Sequence, residues 1–172
     1  GRPRPSGLAG DYFFLPTGGN TRIRATLSGP ACVIEDHSGR AVLRRDKRGD
    51  GSGPINLDFN AKGEFDIAQV SAFYWTGVAR DFAKDFLLPS HLWQLTTRVN
   101  LNDTCNAGFS GADVSINFFR AGKGCPNTAF SDIVLHEYGH AIDFAHGGIL
   151  DPGYSEGFGD AFWRDFARKP AD

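Results

Sequence analysis

The chain has 172 residues, a formal net charge of −2 and 41% hydrophobic residues, the size of one domain or of one lobe of a larger protein, with room for a sizeable core. Fifteen Phe and three Trp with no Met point to a core filled by bulky aromatics, and twenty-two Gly with nine Pro to a loop-rich but folded chain. Nucleic-acid binding is excluded as a reading, because the one basic cluster, residues 40–48, is interrupted by Asp46 and reads as a solvated strand and turn, and no apolar run reaches membrane-spanning length.

The opening residues 1–7, rich in Arg, Pro and Gly, read as a linker or a processed end and do not have the pattern of a signal peptide. Residues 1–60 form a β-rich N-terminal region. Residues 21–27 alternate, with Ile23, Ala25 and Leu27 on one face. Further strands are expected at 31–35, 40–45 and 55–59, separated by turn signals at 28–30 and 36–39 and by a polar, Gly-rich loop from 46 to 54. His37 falls in a turn and reads as solvent-exposed. The period then changes. Ile67, Val70, Tyr74, Val78, Phe82 and Phe86 recur at three- and four-residue spacing, which predicts an amphipathic helix over 66–86 with its stripe in the core, Asp66 as N-cap and Leu88-Pro89 as its end.

A strand at 96–101 follows, then a hairpin built from a short extended piece at 105–109 and an alternating strand at 112–119, with a Gly/Pro loop from 121 to 127. The next helix is capped by Ser131, has Asp132 in its first turn and ends at His146 and two glycines. A last helix is expected over 155–167, closed by Lys169 and Pro170.

Cys105 and Cys125 flank this hairpin, and a disulfide between them would close a loop of about twenty residues and stabilise the chain by about 3 kcal/mol in the chain-entropy model. Cys32 is then the odd cysteine, either a buried thiol in a strand or one paired outside this chain. None of the three sits in a metal-binding pair, so the cysteines point to an oxidising compartment and a secreted, extracellular protein.

The chemistry is concentrated in one stretch. His136, Glu137 and His140 form H-E-x-x-H. On a helix, positions i and i+4 share a face one turn apart, so both imidazoles reach a single ion, while the carboxylate beside the first histidine suits a role as base toward a water on the metal. Catalytic zinc takes three protein ligands and keeps one position for water. Glu156 is the best candidate for the third, and Asp160, four residues on, stands on the same helical face, close enough to hold a ligand histidine from behind.

The pair His136-Glu-x-x-His140 and Glu156-x-x-x-Asp160 resembles the gluzincin metallopeptidases, the thermolysin and fungalysin group, and the order of elements over residues 60–170 is similar to that of their catalytic N-terminal lobe. The resemblance implies an α+β, zincin-like fold: a mixed sheet with an edge hairpin packed on a long helix, an H-E-x-x-H helix and a Glu-bearing helix, with residues 61–172 as the catalytic lobe. It implies His136, His140 and Glu156 as zinc ligands, Glu137 as general base, Asp160 as the partner of a ligand histidine, and Asn106 and Ala107 as the segment that holds an extended substrate by strand addition. The family's helical C-terminal lobe, which supplies a histidine to the transition-state oxyanion, is expected to be absent, leaving a fragment or a reduced one-lobe enzyme. Tyr154 and His146 are then candidates for that oxyanion contact, whereas His91 does not match the missing residue by position. Partners implied are a peptide or protein substrate and a C-terminal lobe or pro-segment of the same precursor. Calcium is common in the family, although Asp143 and Asp151 outline no clear calcium loop.

The expected function is therefore zinc-dependent endopeptidase activity on proteins. The alternatives are a zinc-binding lobe that holds peptides or a partner protein with little or no hydrolysis, and a zinc hydrolase acting on a non-peptide substrate.

Overall fold

The computed structural model describes residues 21–50, 53–84 and 94–168. In chain order the elements are β1 (Thr21–Thr26), β2 (Cys32–Asp36), β3 (Arg44–Gly49), α1 (Glu64–Ala83), β4 (Leu95–Leu101), β5 (Ala107–Ser110), β6 (Ser115–Phe119), α2 (Ser131–Ala145) and α3 (Pro152–Ala167). This is an α+β arrangement of three helices with a mixed sheet among the described residues. Phe86, Leu88-Pro89, His91, Lys169-Pro170 and residues 1–7 lie outside the described residues.

The chain divides into two units, Gly1–Thr26 with Leu43–Asn60, and Leu27–Val42 with Ala61–Asp172. In the first, β1 and β3 pair antiparallel. Asp46 receives Arg24 at 2.8 Å and Arg22 at 3.1 Å, and the bond from Arg24 comes first among the causes holding its carboxyl below the usual range. The basic cluster thus lies on an exposed ribbon in which Asp46 pairs with Arg22 and Arg24 of β1 and with Arg44. The strand expected at 55–59 does not form. The backbone N–H groups of Asp58 and Asn60 go instead to the side chains of Asn56 (3.0 Å) and Asp58 (2.8 Å), a local alternative to ladder pairing that Asn and Asp favour.

The second unit takes in Leu27–Val42 of the first sixty residues as well as the chain from Ala61. β2 joins its sheet, whose order is β2-β4-β6-β5, with β2, β4 and β6 parallel and β5 antiparallel to β6 at the edge. The reason is burial: Cys32 and Ile34 are inaccessible residues of β2, on a face continued by Leu95, Thr97 and Val99 of β4 and by Ile116 and Phe118 of β6. α1 packs on β2 and β4, α2 on β5 and β6, and the two helices touch, so they share this face.

The packing face of α1 differs from the expected stripe. Ile67 and Tyr74 are each 54% exposed, whereas the buried side chains are Ala68, Gln69, Ala72, Thr76, Ala79, Phe82 and Ala83. A row of alanines lets the helix axis approach the sheet closely, and the larger residues are left to the flanks. Of the expected stripe, Phe82 is in the core, its ring 5.4 Å from Phe162 and 5.6 Å from Phe166 of α3.

Three helix starts are also corrected. Gly63, at φ 75°, is the N-cap of α1, and Asp66 reaches back from the first turn to the N–H of Lys62 at 3.2 Å. Phe130 rather than Ser131 occupies the N-cap of α2. α3 begins at Pro152, with Asp151 accepting from the N–H groups of Gly153 (2.9 Å) and Tyr154 (3.2 Å). Proline one residue inside an acidic cap is a favourable helix start.

Cys105 and Cys125 form the disulfide, with Cα atoms 5.2 Å apart, and it closes the segment carrying the β5–β6 hairpin. Cys32 is a free, fully buried thiol, and burial pushes it up to about 12. An inert core thiol follows. Iodoacetamide at pH 8 should leave the native, unreduced protein unmodified, add one adduct in denaturant and three in denaturant with reductant, read by intact mass; fast labelling of the native chain would contradict this placement.

Candidate metal centre

α2 and α3 meet at two glycines. A Cβ on Gly139 would lie 2.9 Å from the Cα of Gly159, and a Cβ on Gly159 would lie 2.9 Å from Cε1 of His136, distances that side-chain atoms do not tolerate. Only two hydrogen-faced residues allow this approach, and it brings Glu156 and Asp160 of α3 onto the histidines of α2. Neither glycine was singled out from the sequence. Their signal is present nonetheless, in the Gly inside the H-E-x-x-H turn and the Gly three residues after Glu156.

Nε2 of His136 lies 3.1 Å from Nε2 of His140 and 3.1 Å from Oε2 of Glu156, and His140 Nε2 lies 3.6 Å from Oε1 of Glu156. The ligand atoms of these three residues fall within 4.8 Å of one another, so the cluster could hold a metal ion. Bonds of about 2.0–2.1 Å in a tetrahedral shell give ligand–ligand edges of about 3.3 Å, and the observed separations straddle that length.

The hydrogen-bond pattern behind the rings fits the same conclusion. His136 Nδ1 sits 3.1 Å from Oδ1 of Asp160 and its Nε2 3.1 Å from Oε2 of Glu156, so both ring nitrogens face carboxylates, which only accept; were Nε2 given to a metal, Nδ1 would donate to Asp160. His140 Nδ1 sits 3.2 Å from Oγ of Ser155, whose hydroxyl donates to Oδ2 of Asp143 at 2.9 Å. The serine therefore accepts from His140, and this ring is protonated on Nδ1. The two Nε2 atoms lie 3.1 Å apart beside the Glu156 carboxylate, an arrangement that could hold a shared cation. Burial, then the neighbouring His136, holds the His140 imidazole below its ordinary value, which favours the neutral form a metal requires. Ser155 was not found from the sequence, because a serine at a helix start reads as a cap.

Glu137 lines the same cleft as the candidate ligands and is only 6% exposed. Its carboxyl is pushed up to about 7, chiefly by burial, with the His136 charge opposing, the Glu156 charge adding and a backbone hydrogen bond from Phe109 of β5 opposing. A carboxyl tuned near neutrality is suited to taking and returning a proton.

The cleft above this site has a volume of about 980 Å³ and is lined by His136, Glu137, His140, Glu156 and Asp160, by Asn106 and Ala107 at the start of β5, and by apolar Phe109, Ile133, Phe144, Ile149 and Leu150. The carbonyl of Asn106 accepts from Thr128 Oγ1 at 3.0 Å, which fixes the entry into the edge strand. Two expected residues stand elsewhere. Tyr154 is 76% exposed on the first turn of α3 and His146 caps the end of α2, and neither lines the cleft. Asp143 and Asp151, considered for calcium, are engaged with Ser155 and with the α3 N-terminus.

No protein-family model matches the sequence, and comparison with curated proteins likewise finds no match.

With Glu137 titrating near 7 when folded and near its ordinary value when unfolded, the folded metal-free chain holds the extra proton. That contribution to stability is full below the ordinary carboxyl range and is lost as pH rises through about 7. Glu137→Gln removes the ionisable group, so in the presence of chelator it should melt several degrees above the parent at pH 9 and close to it at pH 4. Equal differences at both pH values, by circular dichroism, would show that the carboxyl is not desolvated.

Proposed function

We propose that this chain is a zinc-dependent metalloendopeptidase of the gluzincin type, with His136, His140 and Glu156 as metal ligands. The observation that carries the reading is the convergence of those three residues, on two helices, beside a buried carboxylate that faces a sheet edge. Bound zinc would supply Lewis acidity, polarising the scissile carbonyl and lowering the pKa of water toward neutrality.

The remaining steps belong to the chain itself. An extended peptide adds to β5, the edge strand among the described residues, exchanging main-chain hydrogen bonds along it, with the Asn106 side chain and the Ala107 backbone setting its register. This mode accepts any peptide main chain, and the apolar walls of Phe109, Phe144, Ile149 and Leu150 receive side chains. Glu137 takes the proton from water as the oxygen adds to the carbonyl carbon, then delivers it to the departing amine. Asp160 holds the His136 ring through Nδ1 and leaves Nε2 free for the metal. The Cys105–Cys125 disulfide supports an extracellular or otherwise oxidising setting for the activity.

A second reading has its own observation. With Tyr154 and His146 away from the cleft, an oxyanion donor from the expected candidates is missing, and such a loss costs a factor of about 100 to 1,000 in turnover. The same cleft would then serve as a zinc-loaded peptide-binding lobe with little hydrolysis until a second lobe joins it.

Cleavage of unfolded casein separates the two. The parent loaded with one zinc per chain should cut it, chelator should abolish cutting and zinc should restore it. Glu137→Gln should keep its zinc and lose at least a thousandfold in rate. A zinc-loaded parent that retains casein without cutting it supports the binding lobe, and undiminished cleavage by Glu137→Gln would remove the general-base role.

A further inference from the structure

Asp143 sits one turn beyond His140 on α2 and uses both of its carboxylate oxygens. Oδ2 accepts from Ser155 Oγ at 2.9 Å, and that oxygen in turn lies 3.2 Å from His140 Nδ1. Oδ1 accepts from the backbone N–H of Ile149 at 2.8 Å, while the Asp143 carbonyl accepts from Gly148 N–H at 2.9 Å. The loop so held, residues 147–150, turns through two left-handed glycines, Gly147 at φ 109° and Gly148 at φ 76°. It then presents Ile149, 40% exposed, and Leu150, 99% exposed, on the rim of the cleft. One carboxylate thus touches both the support of a metal-ligating ring and the backbone of a substrate-facing loop.

We infer that Asp143 is a positioning residue that couples the metal centre to the cleft rim: through Ser155 it fixes the tautomer of His140, and through Ile149 it fixes the 147–150 loop. The inference rests on the metal reading of the site. It differs from the support of His136, where Asp160 meets the ring directly at 3.1 Å. Here a hydroxyl intervenes, and a hydroxyl can reverse. If Asp143 became a donor on the Ser155 side, the serine would give its hydrogen to His140 Nδ1 and the ring proton would move to Nε2, the atom facing the ligand cluster. Ion binding at Nε2 demands the opposite polarity, so it strengthens the chain Nδ1–H to Oγ–H to carboxylate and, through the shared carboxylate, steadies the Ile149 amide.

Four variants of the intact chain separate the parts. Ser155→Ala removes the link to His140 and keeps the loop bond. Asp143→Asn keeps an acceptor for Ile149 N–H but turns an amide donor toward Ser155. Asp143→Ala removes both links, and Ser155→Thr keeps the hydroxyl. Zinc affinity by competition with a chromophoric chelator should fall about 10- to 100-fold for Ser155→Ala and for Asp143→Asn and stay near parent for Ser155→Thr. The Ser155→Ala/Asp143→Asn double variant should bind no more weakly than the weaker single one, as expected of residues acting along one path.

Amide hydrogen exchange reads the other half. Zinc should slow exchange at Ile149 in the parent and in Ser155→Thr but not in Ser155→Ala, and Asp143→Ala should exchange fast with or without zinc. A parent that binds zinc with Ser155→Ala matching it in affinity and in Ile149 protection overturns the coupling alone. A parent that takes up no zinc overturns the metal reading, and the coupling falls with it.

Discussion

The close crossing of α2 and α3 is the constraint on which the site depends. Neither helix carries a complete metal site. α2 supplies two imidazoles and a carboxylate one turn apart, and α3 supplies the third candidate ligand and the support behind His136. They meet only because Gly139 and Gly159 leave no side chain between the backbones. The rest of the unit holds that crossing in place. α1 packs against α2 and the sheet, and Phe82 of α1 and Tyr138 of α2 both pack on Phe162 of α3. Apolar burial thus fixes the two helices, and the polar cluster is assembled where the packed surfaces end.

That cluster brings three potential metal ligands to one point. Asp160 and Ser155 meet the Nδ1 atoms of the two rings, whose Nε2 atoms lie 3.1 Å apart beside Glu156. Beside it, Glu137 is buried enough to titrate near neutrality and lies against the backbone of the edge strand where a peptide would bind. A candidate cation site, a buried carboxylate and a strand that is at the sheet edge among the described residues line one cleft.

The site was more legible in the sequence than the fold around it. His136, Glu137, His140, Glu156 and Asp160 were readable from the H-E-x-x-H motif, the Glu-x-x-x-Asp spacing and the resemblance these carry, and all five line one cleft. The disulfide was readable from spacing across a hairpin. Packing was harder. The large apolar residues of α1 suggested a stripe through Ile67 and Tyr74, but the helix buries its small residues, a choice set by how near the sheet lies rather than by hydrophobicity along the chain. β2 was grouped with the N-terminal strands because sequence neighbours usually pair, whereas its partner, β4, is some sixty residues away. Ser155 and Asp143 were invisible as a pair, since each has a common local role and only the crossing brings them to His140.

X-ray absorption at the zinc K-edge of the reconstituted, substrate-free protein tests the central claim most directly. One zinc per chain is expected, with two imidazole nitrogens and carboxylate and water oxygens at about 2.0–2.2 Å, and with loss of one imidazole contribution on His140→Ala. A shell containing sulfur, an all-oxygen shell, or a spectrum unchanged by His140→Ala would contradict it.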